Sequence, residues 1–148
     1  IKGKKSVDSI HKELGHVMWE YVGMGRTAEG LKEGLKRLKE IRKEFEKELF
    51  IPGEKEGMNV ELDKAIRLYD FITMGELVAY DALNRNESCG GHFREEYQTE
   101  EGEAKRDDEN YFYVSCWEYQ GSDDVAPVLY KEPLVYEAIK VQTRNYKS

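Results

Sequence analysis

Three runs of apolar residues at helical spacing, each opened by a capping residue and the first two closed by a breaker, constrain this chain more than any other feature. From Val7 onward Ile10, Leu14, Val17, Met18, Tyr21 and Val22 recur at three- and four-residue steps, with Ser6 or Asp8 placed to cap the first turn and Gly23 or Gly25 to end the run. Behind Thr27 as cap, Leu31, Leu35, Leu38, Ile41, Phe45 and Leu49 form one stripe that stops at Pro52-Gly53. Asn59 can cap a third helix, with Glu61 and Asp63 in its first turn, where the helix dipole favours anions. That helix continues through Ala65, Ile66, Tyr69, Ile72, Leu77, Val78, Tyr80 and Leu83. Near its end it is apolar on several faces, so neighbours must cover it on more than one side. Connections this short force successive helices to run in opposite directions. The expected fold is therefore mainly α, an antiparallel three-helix bundle of spectrin-repeat-like form over residues 1–86.

After Tyr97 the pattern changes to a polar, acidic segment and then to "YFYVSCWEY", in which Tyr111, Tyr113, Trp117 and Tyr119 share one face at the two-residue period of a strand. "APVLYK" and "LVYEAIKVQT" follow, set apart by Gly121-Ser122-Asp123-Asp124 and by Glu132-Pro133. These stretches predict a small β meander or an extended C-terminal tail. A chain of 148 residues fits one domain and buries about 70% of the surface its unfolded form exposes. Its start at Ile1, in a lysine-rich segment, reads as a piece of something longer.

Charge narrows the partners. The formal net charge is -7, and Glu95 to Asp124 holds eleven acidic residues against two basic ones. The seven basic and five acidic residues between Leu31 and Leu49 alternate along a helix, as on a solvated face. Nucleic acid is excluded as a partner by this balance. Two cysteines without a framework of spacings point to a reducing compartment, and no apolar run reaches the roughly 20 residues that span a bilayer. No charged-then-apolar leader opens the chain, so membrane association is expected only through another subunit. Ten tyrosines suit half-buried surfaces that face a partner.

One stretch has the composition of an active site: "NRNESCGGHFREEY" gathers Arg85, Glu87, Ser88, Cys89, His92 and Arg94 around Gly90-Gly91. A structural metal site needs four ligands, and Cys89 with His92 supplies two, with Cys116 in a strand and His11 and His16 far off in sequence. A nucleophilic Cys89 using His92 as base would need a lowered thiol pKa and a third group to orient the base. Ser88 lacks the glycine of a nucleophile elbow, since Asn86 stands there. The structural reading accounts for more: the glycines leave the helix end through conformations closed to other residues, while Arg85, Glu87 and Arg94 tie the turn to backbone or carboxylates. A self-contained helical protein-binding module, with the glycine loop as its recognition element, is the alternative. A small thiol or hydrolytic enzyme using Cys89 is the third.

These residues resemble the C-terminal region of the flavoprotein subunit of succinate dehydrogenase and fumarate reductase. That family carries R-x-E-S-R-G-x-H-x-R-x-D after a three-helix bundle, and Arg85, Glu87, Ser88, Gly90, His92 and Arg94 match it in order. Cys89 stands where the family has arginine and Glu96 where it has aspartate. "MWEYVGMGRTAEGL" looks like the family's first helix junction, and "TRNYKS" is similar to its R-x-Y close through Arg144 and Tyr146. The acidic insertion and "VLYKEPLVYEAIKV" look most like menaquinone-linked bacterial members.

The resemblance implies a single C-terminal domain fragment, 1–148, with a bundle over 1–86 and a motif loop, acidic segment and β-rich tail over 87–148. It implies an oxidoreductase of the tricarboxylic acid cycle and electron transport that interconverts succinate and fumarate on FAD and passes electrons to an iron-sulfur subunit and quinone. It also implies that the flavin-binding parts lie elsewhere. This fragment would then hold no cofactor and no catalytic residue, and Arg85, Glu87, Ser88, Gly90, His92 and Arg94 would dock it to the flavin-binding and capping domains. The iron-sulfur subunit would be a further partner, with a membrane anchor subunit reached indirectly. The location implied is cytoplasmic, on the inner face of the bacterial cytoplasmic membrane.

Overall fold

A computed structural model describes residues 3–53 and 57–142. The elements in order are β1 (Lys5–Ser6), α1 (Val7–Val22), β2 (Gly25–Arg26), α2 (Ala28–Glu48), β3 (Leu49–Phe50), α3 (Val60–Asn84), β4 (Phe93–Arg94), α4 (Asp108–Tyr111), β5 (Tyr113–Glu118) and β6 (Val128–Pro133). The caps read from the sequence start the three long helices. Ser6 accepts from the Ser9 amide, Thr27 from Gly30 and Asn59 from Leu62, each satisfying an amide that the first helical turn leaves without a partner.

Two short parallel bridges fix the helix directions. β1 pairs with β3, Lys5 opposite Leu49, so the start of α1 meets the end of α2. β2 pairs with β4, Gly25 opposite Phe93, so the start of α2 meets the end of α3. The bundle is therefore up-down-up: α1 and α3 run parallel, α2 runs against both, and β4 lies at the end where α1 stops, α2 starts and α3 stops.

Val7, Ile10, Leu14 and Val17 of α1 pack with Leu31, Leu38 and Ile41 of α2 and Leu68 and Ile72 of α3 in one buried cluster. Two glycines let the helices close in: a Cβ on Gly75 would meet Met18 Sδ at 3.0 Å, and one on Gly34 would meet Tyr21 Cβ at 2.9 Å. α3 buries Ala65, Leu68, Ile72, Gly75, Ala79 and Ala82, a seam made largely of small residues. Of the residues the sequence pattern ran through, Ala65 and Ile72 lie in this seam, whereas Ile66, Tyr69, Leu77 and Val78 are exposed. The physical reason is the close helix approach: small residues occupy the seam, and bulk is left for the flanks.

The chain itself covers one flank. β5 and β6 form an antiparallel hairpin, Cys116 opposite Tyr130, held to α3 by a bond from Trp117 Nε1 to Asp81 Oδ1 (2.8 Å) and by the Trp117 ring standing edge-on to Tyr80 at 5.0 Å. At the hairpin loop Asp123 lies 3.2 Å from Arg42 Nη1, and the buried Arg42 also bonds Glu76 at 2.8 and 3.1 Å and Thr73 at 3.1 Å. The expected four-aromatic strand face is shorter than the pattern predicted, because Tyr111 belongs to α4 and Tyr119 lies beyond β5 and is exposed. Beyond β6 the segment "LVYEAIKVQT" adds no strand among the described residues. It runs as a tail, fixed by the Leu134 amide on Phe112 O (3.2 Å) and by the Phe112–Tyr136 ring contact. Arg144 and Tyr146 lie outside the described residues.

Candidate functional site

Three helix termini converge at one end of the bundle, and each is met by a side chain of the charge its dipole favours. At the C-terminus of α1, Arg26 Nε donates to the carbonyls of Val22 (3.2 Å) and Gly23 (3.0 Å). At the N-terminus of α2, the Ala28 amide donates to Glu96 Oε1. At the C-terminus of α3, Arg94 Nη1 donates to Ala82 O (3.0 Å) and Leu83 O (3.3 Å). Arg94 Nε then bonds Glu96 Oε2 at 3.0 Å, so one ion pair links the end of α3 to the start of α2. Arg94 is 2% exposed, a full charge at the bundle end that those carbonyls and that carboxylate together satisfy.

His92 joins the remaining corner. Its Nδ1 lies 2.9 Å from Arg26 Nη1, and its Nε2 lies 2.9 Å from the Arg85 carbonyl. A guanidinium only donates and a carbonyl only accepts, so both contacts are satisfied by one species, the neutral ring with its proton on Nε2. Burial pushes the His92 pKa below its ordinary value. The bond to the Arg85 carbonyl opposes that, and the charges of Arg26, Arg94 and Arg85 reinforce it. Burial likewise lowers the Arg26 pKa, opposed by Asp81. For Glu96 burial acts upward, but the bonds from Ala28 and Arg94 outweigh it and hold the carboxyl below its usual range.

The rest of the motif ties the bundle to the tail. Arg85 Nη1 donates to Glu87 Oε1 (3.0 Å) and to Tyr111 O (3.0 Å), while Nη2 reaches Tyr113 O (3.1 Å) and Ser115 Oγ (3.2 Å). Glu87 Oε2 accepts from the Asp107 amide at 2.9 Å. Ser88 Oγ accepts from the Arg94 amide (2.8 Å) and donates to the Arg94 carbonyl (3.1 Å), which pins the two limbs of the loop together. Between them Cys89 and His92 exchange backbone bonds of 2.8 and 3.0 Å around a tight turn, and Gly90 takes φ +59°, a region L side chains rarely enter.

All six matched motif residues therefore lie in one connected structure. Arg85, Glu87, Ser88, His92 and Arg94 direct their polar atoms into this chain, and what faces outward is the turn itself, with Cys89, Gly90 and Gly91 exposed. Both ring nitrogens of His92 are engaged, so this ring is not placed to take a proton from Cys89. Among the described residues no group of three or more His, Cys, Asp or Glu side chains is placed to hold a metal. Two contributions were not read from the sequence, although Arg26 lies inside the helix junction quoted there. Arg26 is 66 positions from His92, and Arg42, a charge within an apolar stripe, finds Glu76 34 positions away and Asp123 further still. The one local signal was Arg42 itself, four residues after the buried Leu38.

Residues 11–146 match a family model described as the fumarate reductase flavoprotein C-terminus. The fumarate reductase flavoprotein subunit of Proteus vulgaris is 33% identical over 110 residues, covering 74% of this chain and 18% of its own length. An L-aspartate oxidase of Nicotiana tabacum is 36% identical over 89 residues, covering 60% of this chain and 13% of its own. A solved structure described as quinol-fumarate reductase with menaquinol molecules superposes with a TM-score of 0.76 at 26% identity, covering 94% of this chain and 23% of that one. The chain spans less than a fifth of the length of the curated relatives it matches.

Proposed function

This chain belongs to the fumarate reductase flavoprotein C-terminal family, and from that premise we propose that it is the structural and docking domain of a flavoprotein subunit that interconverts succinate and fumarate. The observation that carries the reading is the match across residues 11–146, which includes the clamp where Arg26, Glu96 and Arg94 cap three helix ends. In this reading residues 1–148 act as one C-terminal domain, with the bundle over 1–86 and the tail over 87–148 tied through Arg85 and Arg42. FAD binds in the rest of the subunit, which performs the hydride transfer and passes electrons to an iron-sulfur subunit and a quinone. Menaquinone is the quinone this reading favours, on the likeness to a menaquinol-containing fumarate reductase.

In this reading the motif supports docking indirectly, through bonds made within this chain. Arg85, Glu87, Ser88, Gly90, His92 and Arg94 serve it by holding the Cys89–Gly91 turn rigid, because a preformed turn loses little conformational freedom when a partner covers it. The flavin-binding and capping domains of the same polypeptide are the partners in this reading, with the iron-sulfur subunit beyond them. No helix among the described residues is long and apolar enough to cross a membrane. That fits a subunit held peripherally at the inner face of the cytoplasmic membrane by an anchor subunit.

The test is expression of the full reading frame beside the 148-residue chain. The full subunit is expected to bind FAD and to turn over succinate or fumarate, and the 148-residue chain to do neither. Oxidation of L-aspartate instead would assign the subunit to the aspartate oxidases that share this domain. Turnover of a dicarboxylate by the 148 residues alone would overturn the reading.

A further inference from the structure

The glycines inside helices separate into two kinds. Gly30, Gly34 and Gly75 each face a neighbour that an added Cβ would approach to about 3 Å, namely Thr27 Oγ1 at 3.0 Å, Tyr21 Cβ at 2.9 Å and Met18 Sδ at 3.0 Å. Gly15, in the middle of α1, has nothing within 4 Å. Glycine in a helix interior destabilises it relative to alanine, and no contact within the described residues requires glycine at this position.

The surroundings of Gly15 show what it leaves room for. His11, Gly15 and Trp19 recur at four-residue steps and so share one stripe of α1. His11 stacks on Phe71 at 5.7 Å, and Met18 lies against Gly75, so the Phe71–Met74–Val78 flank of α3 runs beside that stripe. Trp19 is 86% exposed, Met74 56%, Phe71 49% and Val78 40%. Between Phe71 and Leu83 the charged residues are Glu76 and Asp81, and they are engaged by Arg42 and Trp117 on the flank that the hairpin covers. The α2–α3 flank thus has its cover in this chain. The α1–α3 flank, on which Arg67 and Asp70 of α3 stand one turn before Phe71 and Met74, has no such cover among the described residues.

We propose that this α1–α3 face, centred on Gly15 and Trp19, is where the flavin-bearing part of the same polypeptide seats, with Gly15 as the point of closest backbone approach. The inference rests on the docking reading above and says which surface does the docking. An exposed apolar patch whose edge is mixed in charge, with Lys64 paired to Asp8 and Glu61 and Arg67 to Asp63, is matched to the surface of a folded domain rather than to phosphate or a lipid headgroup. More than four-fifths of each matched relative lies outside the region this chain aligns with, which supplies that domain. The face is also continuous with the clamp: α1 and α3 run parallel into it, where Met24, 90% exposed, and the Cys89–Gly91 turn present further surface.

Hydroxyl-radical footprinting of the full subunit against the 148-residue chain tests this, with alkylation of Cys89 reporting on the turn. Oxidation of Trp19 and Met74 is expected to slow by about tenfold or more in the full subunit. Protection of Met24 and Cys89 with Trp19 and Met74 still reactive would overturn the inference and leave the docking reading standing. No protection at any of the four would overturn both. Two variants separate folding from docking: Gly15→Ala is expected to raise the Tm of the 148-residue chain, whereas Gly15→Phe should leave that chain folded and release the flavin-bearing part under limited proteolysis. A Gly15→Phe subunit as resistant to proteolysis as the parent would count against close approach at this position.

Discussion

The two ends of the bundle are joined by the same device, a two-residue parallel bridge, yet they are secured by opposite means. At the end where α1 begins, β1 on β3 is flanked by ion pairs on the surface, Lys5 with Glu44 and Glu13, and Lys64 with Asp8 and Glu61. At the end where α1 stops, β2 on β4 is surrounded by Arg26, His92, Arg94 and Glu96, each bonded to a helix terminus or to one another. Water already satisfies the first set, so their pairing adds little. The second set includes charges withdrawn from water, whose removal leaves stranded carbonyls and amides behind. A partner surface placed at the second end meets a scaffold that does not fray.

The largest expected effect follows directly. Arg94→Met keeps the stem and removes the guanidinium, exposing the Ala82 and Leu83 carbonyls and leaving Glu96 without its partner. A loss of roughly 3 kcal/mol is expected in urea unfolding, by the usual cost of removing a buried charged donor and stranding the carbonyls it bonds. A loss under about 1 kcal/mol would show that water replaces Arg94 freely and that the two ends do not differ in kind. Glu96→Gln should cost less, since its side chain is 39% exposed and an amide oxygen still accepts from Ala28.

Acid should distinguish the ends next. The His92 pKa lies below its ordinary 6.5, because the fold holds the ring neutral between Arg26 and the Arg85 carbonyl. Its contribution is full above that value and is lost as pH falls through the lowered one, where a proton on Nδ1 would face an arginine N–H. The Glu96 carboxyl, also held low, loses its contribution at still lower pH. Lys5 behaves with the opposite sign: its pKa is raised, first by the bond to Glu44, so its contribution is present below 10.5 and lost as pH rises beyond it. Unfolding between pH 7.5 and 5.5 should therefore show a slope that His92→Gln flattens. An unchanged slope would mean that other groups carry it.

The sequence disclosed one kind of information and withheld another. Helix starts were legible because a cap is a local signal: Ser6, Thr27 and Asn59 each act within three residues of themselves. The phase of α3 was not, because its apolar residues fall on several faces: Ala65, Leu68, Ile72, Gly75, Ala79 and Ala82 make the seam, and Ile66, Leu77 and Val78 face out. In the motif the residue types pointed to structure rather than chemistry, and the pattern announced its turn through Gly90. What it could not announce was that Arg26, Arg94 and Glu96 each meet a different helix end, since those partners depend on three helices arriving together.

The smallest effect tests the weaker end. At 1 M salt the screening length falls to about 3 Å, so exposed pairs lose most of their attraction while buried ones are little affected. The amide of Gly3, bonded to Leu49 O at 3.0 Å beside β1, is therefore expected to lose about twofold in hydrogen-exchange protection between 0.05 and 1 M sodium chloride. The amide of Arg94, bonded to the buried Ser88 hydroxyl, should not change. Equal loss at both amides would place the clamp in reach of salt, and its charges would then be no better protected than Lys5. A change at Gly3 alone would leave the end of the bundle with buried charges as its rigid one, which is where a docking turn needs to be held.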